Sequence, residues 1–314
     1  MTGRNAPLIT VIICTHNRAG YLRDAMASII RQDFPRTDYE LLVVDNASTD
    51  GTREVVESFR DQGPVRYVHE PRLGLCNARN TGWRAAAGRI AAYFDDDAIA
   101  LPGWLAAVKE GFDRDRGAGV VGGRVDPIWK GERPAWLSDG IAASLTIVDW
   151  GPEVKRIEDL DREWVVGANM AIPVVLLEKV GGFHPKLDRV GNNMLSSGDV
   201  FLAKKIVEQG HACLYHPGMA IRHLVPPQRL VQDWFLRRYY WQGVSDAVME
   251  LIETRPGRLA RLYRAAGRTR SLLGRGRQLG TLAKRTDDPD RFQNQCFTLI
   301  ELGHIAGLLG AARI

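Results

Sequence analysis

The chain has 314 residues, 45% hydrophobic and 25% charged, the balance of a soluble globular protein with a sizeable core. Its four cysteines are scattered without CxxC spacing, which excludes a disulfide framework and fits a reducing, cytoplasmic compartment. The net charge of +5 is uneven: Arg255 to Arg285 holds ten Arg and Lys against no Asp or Glu, leaving the rest at −5, which argues against a nucleic-acid-binding body and for a local basic patch facing something anionic.

The N-terminal "MTGRNAPLITVIICTHN" has no apolar run long enough for a signal peptide, and a β-rich run begins at once in "LITVIIC" (8–14). Leu22, Ala25, Met26, Ile29 and Ile30 then recur at helical spacing. "YELLVVD" (39–45) reads as a second buried strand, and "STDGTREVVESFRDQ" as a helix with Asp50 as N-cap. "VRYVHE" is a third strand, "LCNARNTGWRAAAG" a helix, "RIAAYFDDD" a fourth strand, "WLAAVKEGFDR" a helix and "GVVGGRV" a fifth strand. Near-continuous apolar strands alternating with amphipathic helices predict an α/β fold with a parallel sheet covered on both faces. Ligands of such sheets bind beyond the C-terminal strand ends, where "CTHN", "DNASTD", "EPRLGL" and "DDD" fall.

From Asp126 to Glu163 the chain is rich in Trp, Pro and Gly and weakly periodic. "REWVVGANMAIP" (162–173) then reads as a strand, "VVLLEKVGGF" as a short helix with a glycine stop, "DVFLAKKIVEQG" as a helix and "HACLYHPGMAIRHL" as a strand. A boundary is expected near residue 228, with helices to the end. No stretch supplies the roughly 20 clean apolar residues of a membrane span; the nearest, "CFTLIELGHIAGLLGAARI", is broken by Glu301 and His304. On a helical projection from Pro256, Leu259, Leu262, Tyr263 and Ala266 fall on one side and Arg261, Arg264 and Arg268 on the other. Such a basic amphipathic helix suits peripheral contact with an anionic membrane; the alternative is a helix whose apolar side packs on the preceding domain.

Three aspartates at a strand end repel unless something neutralises them. Extended chain sends residues i and i+2 the same way, so Asp95 and Asp97 can converge while Asp96 points elsewhere. Two converging carboxylates form a hard oxygen site suited to Mg²⁺ or Mn²⁺ bridging to phosphates; the alternative is a solvated acidic turn. The chain has no GxGxxG after the first strand and no GxxxxGK[ST], so dinucleotide and P-loop readings lack their fingerprints. Trp129, Trp136 and Trp150 are candidates for a sugar-stacking acceptor wall, with core packing as the alternative for each.

The blocks "ITVIICTHNRAGYLRDAMASIIRQ", "ELLVVDNASTDGT", "LGLCNARNTGWRAAAGRIAAYFDDDAIALPGWL", "VVGANMAIP" and "SGDVFLAKKIVEQGHACLYHP" resemble, in order and spacing, those of family 2 inverting glycosyltransferases with the GT-A fold. The resemblance covers about residues 8–225. It implies a Rossmann-like, mostly parallel sheet flanked by helices in a catalytic domain over 1–228. The nucleotide-sugar half would be 1–125 and the acceptor half 126–228, with 229–314 as a helical extension. It further implies sugar transfer from a nucleotide-diphosphate sugar, UDP being commonest in the family, to a glycan or lipid-linked hydroxyl in polysaccharide or glycoconjugate biosynthesis. "DDD" stands at the family's DxD position, so Asp95 and Asp97 would hold Mn²⁺ or Mg²⁺, with His223 a further ligand candidate. Thr15, Asn17 and Asp45 stand where the family meets base and ribose, Arg72 is a plausible further nucleotide contact, and Asp96 is a ribose or supporting candidate. Gly167, Ala168 and Asn169 sit where the family wraps the transferred sugar, a tight turn being the alternative. The family's base is usually the Asp of a Glu-Asp pair opening a helix. Here Asp199 takes that place and Gly198 replaces the Glu, so a second acceptor-side carboxylate is missing. A sugar-nucleotide pyrophosphorylase would need a glycine-rich basic loop that "CTHNRAGYL" does not supply, and a non-catalytic glycan- or nucleotide-binding homologue has only Gly198 in its favour.

Overall fold

The structure is a computed structural model that describes residues 6–312 except 190, 192, 275 and 283. It divides into two compact units: Met1–Ile128 with Thr146–Pro185 and Gly198–Leu224, and Trp129–Leu145 with Lys186–Ser197 and Val225–Ile314.

The first unit is built on one sheet. β1 (Ile9–Thr15), β2 (Tyr39–Asp45), β3 (Val65–His69) and β4 (Ile90–Asp95) run parallel in the order β3-β2-β1-β4. The Ile, Leu and Val runs of β1 and β2 are buried along their length, as a sheet covered on both faces requires. The connecting helices are α1 (Ala19–Ile30), α2 (Thr52–Glu57) and α3 (Leu75–Ala85), and α4 (Trp104–Arg114) follows the sheet edge. α1 buries Leu22, Ala25, Met26 and Ile29, the stripe its spacing predicts. Register pairs Thr15 with Asp45, Asp45 with His69 and Cys14 with Asp95, so the polar strand ends share one edge.

Past β4 the sheet changes direction. β5 (Ala98–Ala100), β6 (Ala118–Trp129), β7 (Lys155–Arg156), β8 (Asn169–Pro173) and β9 (Ala212–Val225) extend the order to β3-β2-β1-β4-β8-β6-β9-β5, with β7 on β9. The pairs β4–β8, β6–β8, β5–β9 and β7–β9 are all antiparallel. The fifth strand read from "GVVGGRV" is therefore β6 in an antiparallel pairing, because an apolar run specifies burial and carries no direction. The strand expected over 162–173 shrinks to β8, since Asn169 N–H bonds back to Val166 in a turn before it. Asp50 does not occupy the N-cap of α2, which is Gly51. Its carboxylate accepts from the Thr52 N–H and hydroxyl, and also from the Ala19 N–H that opens α1.

In the second unit the segment 129–145 contributes the single-turn α5 (Asp139–Ala142). In the first unit α6 (Val174–Val180) stops at the left-handed Gly181 (φ 83°), and α7 (Gly198–Val207) follows. The rest of the second unit is α8 (Gln232–Thr254), α9 (Arg258–Leu273), α10 (Gly276–Thr281) and α11 (Pro289–Leu309). Trp136 lies edge-on to Phe235 and Phe292 at its core. α8 and α11 approach backbone to backbone: a Cβ on Gly243 would lie 1.9 Å from the Ile300 carbonyl oxygen, and one on Gly303 1.9 Å from that of Tyr240. Among the described residues no helix is long and apolar enough to cross a membrane.

Candidate active site

The three aspartates do divide, but through a turn rather than along an extended strand. Asp95 ends β4, the chain turns over Asp96 and Asp97, and β5 leaves antiparallel to β9 with Ala98 opposite His223. That pairing fixes the histidine: one ligand atom from each of Asp95, Asp97 and His223 lies within 4.8 Å of the others. Asp97 and His223 are buried, with His223 Nε2 3.1 Å from Asp97 Oδ1, while Asp95 is partly exposed. His223 Nδ1 is buried without a hydrogen-bond partner among the described residues. Two carboxylate oxygens and an imidazole nitrogen, open on the Asp95 side, fit Mn²⁺ or Mg²⁺ with positions left for substrate oxygens.

Asp96 turns the other way. The Thr15 hydroxyl donates to its Oδ2 at 2.7 Å and Arg18 to its Oδ1 at 2.6 Å, and burial, opposed by Arg18, pushes its carboxyl up to about 6. Arg18 also reaches Asp97 Oδ2 at 3.0 Å, so one guanidinium spans both carboxylates. Although burial opposes its charge, Asp96 and Asp97 raise the Arg18 pKa above the usual arginine value. Sequence reasoning did not single out Arg18; its signal was a lone cation directly after "THN".

Arg79, on α3, was also missed. It is buried, lies 3.6 Å from Asp95 Oδ1 and faces the Phe183 ring at 5.2 Å. Burial disfavours its charge, but Asp95 and then Asp199 outweigh this and raise its pKa. Gly167 makes room for it: a Cβ there would stand 2.5 Å from the guanidinium nitrogens. The Gly167 N–H donates to Asp199 Oδ2 at 2.7 Å and the Val200 N–H to Oδ1 at 2.9 Å. Two backbone amides thus orient the Asp199 carboxylate in the first turn of α7, directly after Ser197 in a left-handed conformation (φ 67°). Gly198 opens that helix and is buried, with no carboxylate beside Asp199 from that position.

Two expected sugar or acceptor contacts are taken up elsewhere. Asn169 is fully buried: its Oδ1 accepts from Trp104 Nε1 at 2.8 Å, and its amide donates to the Arg124 and Met219 carbonyls at 3.1 and 2.7 Å. It ties β8 to its neighbours and has no donor left for a sugar, and Ala168 beside it is buried too. Trp136, in the aromatic core of the second unit, is not a stacking surface. Trp150 is part-buried, its indole N–H donating to the Trp164 carbonyl, and the part-buried Trp129 lies under the Arg133 guanidinium.

The loops after β1, β2 and β3 form a braced set. Asn17 and Ala47 both hold left-handed backbone (φ 54° and 57°), strain of the kind that collects at ligand loops. Asn17 Oδ1 accepts from the Thr49 N–H and hydroxyl, and Asp45 accepts from the Ser48 N–H and the Tyr67 hydroxyl. Burial first, then Asp45, pushes the Tyr67 phenol up to about 12. Arg72 has a largely exposed side chain folded back onto Glu70. Glu70 is held down to about 2, first by the Arg72 hydrogen bond, with burial opposing and Thr81 assisting. A depressed carboxyl stabilises the fold above its ordinary value of 4.5, and the contribution is lost as pH falls toward 2. With Arg72 exposed, solvent screening keeps that contribution small. Glu70→Gln is expected to flatten this part of the urea-midpoint-against-pH curve, and an unaltered curve would place the acid sensitivity elsewhere.

Comparison with known proteins gives this geometry a context. The family model "Glycosyl transferase family 2" matches residues 10–180. The chain is 23% identical over 250 residues to the glucosyl-dolichyl phosphate glucuronosyltransferase of Haloferax volcanii, covering 78% of each chain. It is 37% identical over 219 residues to the validoxylamine A glucosyltransferase of Streptomyces hygroscopicus subsp. jinggangensis, covering 62% of this chain and spanning about half, 51%, of that relative. Among solved structures, S. aureus TarS 1-349 in complex with UDP-GlcNAc superposes with a TM-score of 0.58 at 18% identity, covering 78% of this chain and 66% of that one. The mannosyltransferase PcManGT from Pyrobaculum calidifontis, in complex with GDP-Man and Mn²⁺, gives 0.56 at 22%, covering 98% and 75%. The fold shared with these structures is GT-A.

Proposed function

The chain belongs to glycosyl transferase family 2, and from that premise we propose a metal-dependent, inverting transferase that moves a sugar from a nucleoside-diphosphate donor to a hydroxyl of a glycan or lipid-linked acceptor. The convergence of Asp95, Asp97 and His223 carries the reading, with Arg79 reaching Asp95 and charge-coupled to Asp199. Asp95, Asp97 and His223 would hold Mn²⁺ or Mg²⁺, which when bound offsets charge on the departing diphosphate. Arg79 adds a fixed positive charge beside Asp95, desolvated and held in place before any substrate arrives. Asp199, oriented by two amides, takes the proton of the acceptor hydroxyl. The acceptor oxygen bonds to the anomeric carbon as the bond to the diphosphate oxygen breaks on the opposite face, which inverts that carbon.

The loops holding Thr15, Asn17 and Asp45 would receive the nucleotide, with Arg72 at their rim. In this reading 1–125 is the nucleotide-sugar half, 126–228 the acceptor half and 229–314 a helical extension. UDP is favoured by the TarS complex, and the glucuronosyltransferase relative, named for a dolichyl phosphate, favours a lipid-linked acceptor. Four free cysteines suit a cytoplasmic site of glycoconjugate or polysaccharide synthesis.

A melting series with UDP, GDP and the other nucleoside diphosphates, each with and without Mn²⁺, tests the donor site. UDP with Mn²⁺ at about 100 times its Kd is expected to stabilise the protein by about 2.7 kcal/mol. At this size that raises Tm by about 4 °C. Asp97→Ala is expected to remove the Mn²⁺-dependent part. No shift with any nucleotide would sink the assignment.

A further inference from the structure

α9 sits with its polarity reversed. Arg264 and Arg268, on the face opposite the apolar residues, point inward, donating to Glu250 on α8 at 2.5 Å and to Glu301 on α11 at 3.0 Å. Only Ala265 and Leu272 of its 16 residues are buried. The apolar side faces solvent: Leu259 and Tyr263 are 83% and 82% exposed, Leu273 65% and Leu262 54%. Positions 259, 263, 266, 270 and 273 form one stripe, about 21 Å long at the helical rise. An ordinary amphipathic helix of a globular protein buries that stripe. The exposed Arg258 and Arg270 lie on or beside it, and no acidic residue occurs between Arg255 and Arg285; Arg275 lies outside the described residues.

We infer that α9 is a docking helix for an anionic lipid surface, lying flat with Leu259, Leu262, Tyr263 and Leu273 in the headgroup–acyl boundary and Arg258 and Arg270 on the lipid phosphates. Charge selects this occupant. A second copy docking face to face through α9 would set arginines against arginines, with no acidic residue of the segment to answer them. An anionic bilayer accepts both the apolar side chains and the cations, and tyrosine is at home at that depth. Arg264 and Arg268 are reassigned: they fasten the helix to α8 and α11 and do not meet lipid. The inference stands apart from the transfer reaction, because it rests on α9 alone.

The test is co-sedimentation of the full chain with vesicles of phosphatidylcholine containing 30% phosphatidylglycerol, against pure phosphatidylcholine. Binding to the anionic vesicles is expected to exceed that to neutral ones by about tenfold and to fall in high salt, as for other basic amphipathic helices. Leu259→Ser with Tyr263→Ser is expected to lose about tenfold in binding with Tm unchanged. Arg264→Gln is expected to lower Tm and leave vesicle binding of the folded protein intact. Equal partitioning of wild type and the double variant, or no preference for anionic vesicles, would overturn the inference. So would a dimer in solution that the double variant converts to monomer, which would assign the face to a second copy.

Discussion

Asp199→Asn is expected to lower kcat by about 10³ while leaving nucleoside-diphosphate affinity within about twofold, the signature of a lost general base. The amide side chain keeps the size of the carboxylate and one oxygen for one of the two N–H groups, Gly167 or Val200, that orient residue 199. It cannot accept the acceptor's proton. Steady-state release of nucleoside diphosphate, alongside calorimetric titration of the same nucleotide, separates the two quantities. A variant with full turnover would remove Asp199 from the role. One that lost nucleotide affinity in step with turnover would move it to the donor side.

Arg79→Met is expected to lower both stability and turnover. The guanidinium is buried against Phe183, 3.6 Å from Asp95 and charge-coupled to Asp199. Methionine fills much of the volume and leaves those carboxylates without the cation. Breaking a fully buried pair costs about 3–5 kcal/mol; Asp95 is one-third exposed, which reduces the expectation here to about 2 kcal/mol. Turnover is expected to fall by about 10² beyond the folded fraction, because a preorganised charge beside the leaving group is gone. Combining Arg79→Met with Asp95→Asn is expected to be less destabilising than the sum of the single changes, since both remove the same pair. Additivity within about 0.3 kcal/mol would show the two to be independent.

The sequence made some parts of this molecule readable and hid others for physical reasons. β1 and β2 were legible because continuous Ile, Leu and Val runs can be satisfied only in a covered sheet. α1 and α4 were legible from one apolar stripe each. Alternation suggested grouping Asp95 with Asp97, but extended chain ends at Asp95 and a turn over Asp96 and Asp97 sets where the side chains go. His223 could be proposed only by likeness to a family, because its approach depends on a β5–β9 pairing between segments more than 100 residues apart. Arg79 read as an ordinary cation on an amphipathic helix, and its burial is set by Gly167 across the fold. Asn169 resembled a sugar contact only by its place in the family's blocks; its three partners come from three other parts of the chain. For α9 the projection separated two faces correctly but could not say which one turns inward. Glu250 and Glu301, which decide it, lie on other helices.

The guanidinium of Arg18 across Asp96 and Asp97, with Arg79 beside Asp95, has a consequence for folding. Three carboxylates answered by two guanidiniums leave a residual charge of only one, so the acidic turn brings its own counterions and can close during folding without borrowing one from the cell. The turn can therefore close before any cation binds, and a cation held by Asp95, Asp97 and His223 would compete with Arg18 for Asp97.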